Sequence, residues 1–297
     1  MWLWVKRIAV GASAVVIITL AFAYGTYEQR ASKVYAVNVA PVAIPAQTAL
    51  IDQGKHIAIT RGCVECHGSD LGGHTFIDDK IAGTVSGTNL TRGKGGVGNA
   101  MTDTDWIRAI RHGLHRDSKP LLIMPAKEYW SFTDEDLGAL IAYLKTVPPV
   151  DRALPPNHIA LPLRVLASVN RDIHLFNAEQ IDHASRPAPF NPANKIELGK
   201  YMAHGCTGCH GEGFGGGKIP GAPPDWIAPA NLTPGGAIGQ WSEVQFVATM
   251  RTGKTPEARQ LNAERMPWPI LGQMTDAELS ALFAYLQSLP AKTTGTR

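Results

Sequence analysis

CVECH at residues 63–67 and CTGCH at residues 206–210 decide how this chain is read. All four cysteines of the sequence sit here, as the pairs Cys63/Cys66 and Cys206/Cys209, and each pair runs directly into a histidine, His67 or His210. A disulfide across each pair is the plain alternative, and zinc is the second. Zinc would need further Cys or His at short spacing in both places. A redox dithiol would need a βαβ context, which the surrounding sequence lacks. The remaining reading is covalent attachment of haem c, for which C-x-x-C-H is the attachment sequence. Each thiol adds across one vinyl group of the porphyrin, and the adjacent histidine is forced under the iron.

Outward from these motifs the chain repeats itself. Asn89-Leu90-Thr91 returns as Asn231-Leu232-Thr233, Met124-Pro125 as Met266-Pro267, and Ala142-Tyr143-Leu144 as Ala284-Tyr285-Leu286. All three are displaced by 142 residues, and the C-x-x-C-H motifs by 143. A single register over four landmarks means internal duplication. The copies span 51–147 and 195–290. A Pro-rich connecting strap, 148–194, joins them, and a tail, 291–297, follows.

Inside each copy the pattern is helical. Short segments, 54–62 and 199–205, lead into the cysteines. Thr102-x-x-Asp105 and Ser242-x-x-Gln245 have the form of capping boxes. Apolar residues follow at helical spacing, and Gly113 and Gly253 stand where helices end. A last amphipathic helix starts at Thr133 or Thr275 and stops at Pro148 or Pro290. The expected fold is all-α: two tandem modules of about three helices each, with long Gly/Pro-rich loops. A module of this size has a small core, and a large apolar cofactor would add the missing buried volume. Within the strap, residues 161–170 suit a short helix, and the rest suits an extended segment packed across both modules.

The chain has 297 residues, 44% hydrophobic and 18% charged, with a net charge of +3. The first 50 residues account for that excess, through Lys6, Arg7, Arg30 and Lys33 against Glu28. The rest is balanced, so no broad basic field exists to bind nucleic acid. Residues 8–25 carry no charge. As a helix they would span about 27 Å, enough for a bilayer core. Residues 1–27 therefore read as a membrane anchor, followed by a linker, 28–50. A cleaved signal sequence is the alternative, with Ala21-Phe22-Ala23 as its cleavage site. Lys6 and Arg7 would stay cytoplasmic, and the bulk of the chain would lie across the membrane in the periplasm or extracytoplasmic space.

Six-coordinate haem needs a second axial ligand. Met124 and Met266 lie 57 and 56 residues beyond His67 and His210, each before a proline. Their shared register singles them out; Met274, with no repeat partner and at the opening of a helix, is the weaker choice, and Met101, Met202 and Met250 read as core or loop. Sulfur ligation stabilises ferrous iron and closes the coordination sphere. The expected act is outer-sphere electron transfer and no bond-making at iron. His112 and His115 fall near a helix end, where an imidazolium would complement the dipole. His74, His158, His174, His183 and His204 have no repeat partners and read as solvated. Arg92, Lys94, Arg108 and Arg111 suit contacts to haem propionates or to a partner, or a solvated basic face.

Each half, through C-x-x-C-H, Asn-Leu-Thr, Met-Pro and the closing Ala-Tyr-Leu, resembles a class I, mitochondrial-cytochrome-c-like domain. The whole chain resembles membrane-anchored dihaem c-type cytochromes of bacteria. It also resembles the cytochrome subunits of membrane-bound alcohol and gluconate dehydrogenases, of which the alcohol dehydrogenase subunits carry three haems. The resemblance implies two covalent haems and a single-pass position in the cytoplasmic membrane. It implies redox protein partners, either a membrane complex or a soluble carrier. Electron transfer is favoured over an enzyme activity, such as that of a dihaem peroxidase. The alternative within electron transfer is a fixed subunit of a respiratory, photosynthetic or dehydrogenase complex. The resemblance also implies that each motif histidine donates its free ring N–H to a backbone carbonyl just before Asn-Leu, near Thr88 and Ala230.

Overall fold

The computed structural model describes residues 2–170, 172–223 and 225–297. A long helix, α1 (Trp2–Ala31), leads the chain. The first module holds α2 (Thr48–Thr60), α3 (Cys63–His67), strands β1 (His74–Asp79) and β2 (Gly83–Gly87), α4 (Asp103–His112), α5 (Ala126–Tyr129) and α6 (Asp134–Thr146). The strap contributes β3 (His158–Ile159) and α7 (Leu161–Val169). The second module holds α8 (Lys195–Ala203), α9 (Thr207–His210), α10 (Glu243–Thr252), α11 (Trp268–Leu271) and α12 (Asp276–Ser288).

The helices start and stop for the local reasons the sequence suggests. Thr102 accepts from the Asp105 N–H while the Asp105 carboxylate accepts from the Thr102 N–H, and Ser242 with Gln245 does the same. Thr133 and Thr275 cap α6 and α12. Gly113 and Gly253 end α4 and α10 in left-handed backbone, with φ of 65° and 69°. First and last helices of each module cross closely, α2 on α6 and α8 on α12. A Cβ at Gly54 would strike the Ala139 carbonyl, and one at Gly199 the Ala281 carbonyl, so only glycine fits either crossing.

A matched polar lock closes each module. Asn89 is fully buried. Its Oδ1 accepts from the Thr91 N–H (3.0 Å) and Oγ1 (2.8 Å), and its Nδ2 donates to the Val150 carbonyl (2.7 Å). The Val150 N–H then donates to Thr91 Oγ1 at 2.9 Å. Asn231, Thr233 and Lys292 repeat these bonds at 2.9, 2.7, 2.8 and 3.0 Å. The residues just past each last helix are thus sewn to the Asn-Leu-Thr loop. The segment read as a tail is packed as well: the Arg297 guanidinium donates to the carbonyls of Cys209 (2.8 Å) and Gly217 (3.1 Å).

Two features depart from the reading of the sequence. Strands β1 and β2 form an antiparallel hairpin, with Ile77 opposite Val85, and β3 adds to its edge through Gly83 opposite Ile159. The matching stretch of the second module carries Pro220, Pro223, Pro224 and Pro229. Proline has no N–H for a ladder, so the duplication does not extend to the hairpin. Secondly, Arg111 belongs to no solvated basic face. It is buried, and it ties α4 to the start of α6 through Asp134 (2.7 Å) and the Phe132 carbonyl (2.7 Å). Arg251 makes the equivalent brace to Asp276 and to the carbonyls of Gly272 and Met274.

Most buried apolar residues form one cluster running through both modules. A smaller cluster joins Val85, Ile159, Ala167, Ile173, Leu175 and Phe176 to Tyr27 and Ala31 of α1. The helix read over 8–25 therefore continues to Ala31, because its last turns have a core to pack on.

The modules meet across a polar seam. Arg61 donates to the Met202 carbonyl at 2.9 Å, with its guanidinium 4.8 Å from the Tyr201 ring and 5.7 Å from the Phe132 ring. Tyr201 donates to Asp136, and Lys127 pairs with Glu212 at 2.6 Å. His56 pairs with Glu278 at 2.9 Å. The Glu278 hydrogen bond raises the His56 pKa against the effect of burial, with Asp136 adding to the rise and Arg61 opposing it. Burial works to raise the Glu278 carboxyl, but the bonds from His56 and Thr275 outweigh it and hold it below the ordinary range.

A group whose pKa is raised on folding stabilises fully below its unfolded value and loses that contribution as pH climbs through the folded one. The destabilisation caused by His56→Gln should thus be complete below about pH 6.5 and fade at higher pH. Thermal unfolding of both proteins across pH 5–9 checks this; a constant difference would contradict it. Asn89→Ala strands buried partners in the lock and should cost about 2–4 kcal/mol in chemical denaturation. Asn231→Ala should cost a similar amount.

Candidate functional site

Both C-x-x-C-H motifs form single helical turns after a short lead helix. Cys63, Cys66 and His67 lie on α3, and Cys209 and His210 on α9, with Cys206 at its start. Gly68 and Gly211 follow at φ of 79° and 81°, turning the chain sharply away. Three residues further, Leu71 and Phe214 hold left-handed backbone at φ of 54° and 58°. Such strain persists only where the surroundings over-determine it. Here both side chains are buried, and their carbonyls accept the N–H of Leu90 (2.9 Å) and Leu232 (2.8 Å). The motif loop and the Asn-Leu-Thr loop are thereby clamped together.

This clamp orients the histidines. His67 Nδ1 lies 2.7 Å from the Thr88 carbonyl, and His210 Nδ1 lies 2.7 Å from the Ala230 carbonyl. A carbonyl only accepts, so Nδ1 carries the proton in both rings. Nε2 is then left with a bare lone pair. Burial lowers both pKa values, more than the carbonyl contacts raise them, which keeps the rings neutral. That is the state a metal-ligating imidazole needs, with its other nitrogen fixed by a carbonyl.

The thiols are equally distinctive. Burial pushes Cys63 up to about 12, Cys66 up to about 11 and Cys206 up to about 12. A working redox dithiol needs a depressed pKa, so these pairs are not built for thiol exchange. A Cβ at Gly87 would strike the Cys66 carbonyl, so the backbone approaches the first motif as closely as it can.

Met124 and Met266 are half-buried and pack, with Cys63 and Cys206, against the main core cluster. Met202, Met250 and Met274 are core residues. Trp106 and Trp130 carry buried indole N–H groups with no acceptor among the described residues. Unpaired indole donors, neutral imidazoles with free Nε2, buried thiols and half-buried thioethers together fit a porphyrin with carboxylate side chains.

Other side chains differ from their sequence reading. His112 is buried and is no imidazolium: burial first, then His183 and the nearby arginines, lower it to about 4. His183, read as solvated, lies with its Nδ1 3.1 Å from that of His112. Arg108 pairs with Asp105 at 2.8 Å. Sequence reasoning missed Arg61 and Glu128. Burial pushes Glu128 up to about 8, and its carboxyl lies where a side chain at Gly208, inside the second motif, would stand. The repeat register carries no trace of either residue, because both act between modules.

The contacts between modules are reciprocal. α5, just past Met124, packs on His204–Cys206 at the second motif, and α11, just past Met266, packs on α2 before the first. The loops that carry Met124 and Met266 therefore each lead into a helix that abuts the other module beside its C-x-x-C-H motif.

Residues 49–144 match the family model for cytochrome c oxidase, cbb3-type, subunit III, and residues 196–290 match that for cytochrome c. The chain is 32% identical to the fructose dehydrogenase cytochrome subunit of Gluconobacter japonicus, over 85% of this chain and 55% of that protein. It is 31% identical to the cytochrome c subunit of alcohol dehydrogenase (quinone) from Gluconacetobacter polyoxogenes, over 82% and 57%. With the gluconate 2-dehydrogenase cytochrome c subunit of Pantoea cypripedii the identity is 27%, over 83% and 61%. The chain thus spans little more than half the length of these relatives. The two halves of the repeat, matched separately over residues 49–144 and 196–290, are thus two cytochrome c domains in tandem.

Proposed function

We propose that this chain is the electron-transferring subunit of a membrane-bound dehydrogenase complex. It carries two covalent c haems, one per domain. Cys63 and Cys66 would attach the first, and His67 and Met124 would hold its iron. Cys206 and Cys209 would attach the second, and His210 and Met266 would hold its iron. The observation that carries this reading is the duplicated imidazole–carbonyl bond at Thr88 and Ala230, which leaves both Nε2 atoms free.

Bound haem supplies a one-electron iron couple, and everything else falls to the protein. The carbonyl bonds fix the ring planes of the histidines and raise the basicity of Nε2. Pro125 and Pro267 stiffen the methionine loops. With a histidine and a methionine held to each iron, no open position would remain, and the chemistry supplied would be outer-sphere transfer. Arg61 stands two residues before Cys63 and binds the backbone leading to Cys206, so one fixed cation serves both centres and favours their reduced forms. The reciprocal contacts of the methionine loops with the opposite attachment regions suit transfer within the pair.

The relatives' names supply the partner class: each is a subunit of a dehydrogenase for a sugar, an alcohol or a sugar acid. Electrons would enter from such a dehydrogenase and leave to a further acceptor in or at the membrane. α1 is long and apolar enough to span a bilayer. With Lys6 and Arg7 on the cytoplasmic side, the domains face the periplasm of a bacterial cell.

The purified chain should carry two haems by pyridine haemochrome assay, and Cys206→Ala with Cys209→Ala should leave one. A single haem in the unaltered chain, or a five-coordinate iron that turns over a small substrate, would overturn the reading. Met124→Ala should abolish the weak red sulfur-to-iron absorption of one haem. It should also lower that haem's potential by on the order of 100 mV, within the ~0.8 V range that axial ligands control. Mild-detergent purification from the native membrane should bring a dehydrogenase along.

A further inference from the structure

The short helix α7 has an outward face with no protein partner. Leu161, Leu166 and Val169 are 44%, 44% and 67% exposed. Its inward face holds Leu163 and Ala167 against Tyr27 and Ala31 of α1. Arg164, its one charged residue, is turned inward too, pairing with Glu28 at 3.2 Å and lying 4.1 Å from the Tyr27 ring. An exposed stripe that is wholly apolar is uncommon on a water-facing helix.

A second element extends the stripe. The Ala160 N–H donates to the Ala82 carbonyl at 3.1 Å, which holds the β1–β2 turn against the start of α7. That turn presents Ile81, 66% exposed, beside an exposed Lys80. Outside α1, nine large apolar side chains are exposed among the described residues, and four of them fall in this one patch.

The position of the patch decides what covers it. α7 packs along the last turns of α1, and its Arg164 guanidinium lies 5.8 Å from the Tyr24 ring. Tyr24 is within the uncharged run that ends at residue 25. Tyr24 and Tyr27 are the aromatic pair expected where a spanning helix leaves the acyl core. The apolar stripe of α7 is thus at the depth where hydrocarbon gives way to headgroups. A short amphipathic helix with an apolar outer face binds in that layer.

We infer that α7 is a second, monotopic membrane contact: Leu161, Leu166 and Val169, with Ile81 at the hairpin tip, insert into the leaflet from which α1 emerges. This rests on α1 being a membrane anchor. Two contacts, one spanning and one lying in the surface, hold the dihaem body at a fixed attitude to the bilayer, where α1 alone would leave it free to swing. The strap that carries α7 also packs on both domains, so that attitude is transmitted to each of them.

Photo-crosslinking in the full-length chain in native membranes tests this. p-Benzoylphenylalanine is placed singly at Leu166, at Val169, at Ile17 in α1 and at Val244, an exposed apolar site on the second domain. Lipid adducts, read by mass spectrometry, should form at 17, 166 and 169, with yields about ten-fold above that at 244. No lipid adduct at 17 would overturn the anchor reading and this inference with it. Adducts at 17 with none at 166 and 169 would overturn this inference alone. Protein adducts at 166 and 169 would also overturn it, assigning the face to a partner subunit.

Discussion

The bond from a motif histidine to a backbone carbonyl is the constraint on which the rest of each domain depends. It fixes the tautomer and the plane of the imidazole, and so decides which nitrogen can meet a metal. A carbonyl is a good anchor only if its own position is rigid. Thr88 and Ala230 owe that rigidity to the asparagine that follows each, buried and fully hydrogen-bonded, whose amide reaches across to the chain just past the last helix. The strained Leu71 and Phe214 complete the clamp from the motif side. Local strain, a buried amide and the terminal segment all act on one ring nitrogen.

Joining two such domains raises a different problem. Their facing surfaces carry charge, and a buried charge without partners is costly. The seam meets this with pairs whose members come from both sides: Arg61 with the carbonyls and ring of Tyr201 and Met202, His56 with Glu278, Lys127 with Glu212. Glu128 lacks a cation of its own at hydrogen-bond distance among the described residues. Burial accordingly shifts it toward the protonated form, in which it costs less. The reciprocal packing of α5 and α11 brings this seam up to the segments beside both C-x-x-C-H motifs.

Much was legible in the residues alone because the relevant signals are short and doubled. Four landmarks in one register identified the repeat, the capping boxes located α4 and α10, and a five-residue motif implied the cofactor. What escaped was long-range. The hairpin strands are short, and only the second core, assembled from the strap and α1, gives them a face to bury. Arg111 looked like a surface cation because its anchor, Asp134, is 23 residues away and on another helix. His112 and His183 are 71 residues apart and meet only when the strap folds back.

By itself, then, the sequence singled out the candidates in each module: the cysteine pairs, the histidines that follow them, the methionines in matching register, and an apolar segment able to span a bilayer. These follow from residue type and spacing along one or two turns of helix, which local geometry dictates. The tertiary structure decided how those parts are aimed. The nitrogen left free on each imidazole, the Arg61 cation set between the two C-x-x-C-H motifs and the apolar stripe placed beside α1 all depend on contacts between distant segments. Such contacts leave no periodicity in the chain, since they arise only when packed surfaces bring their partners together.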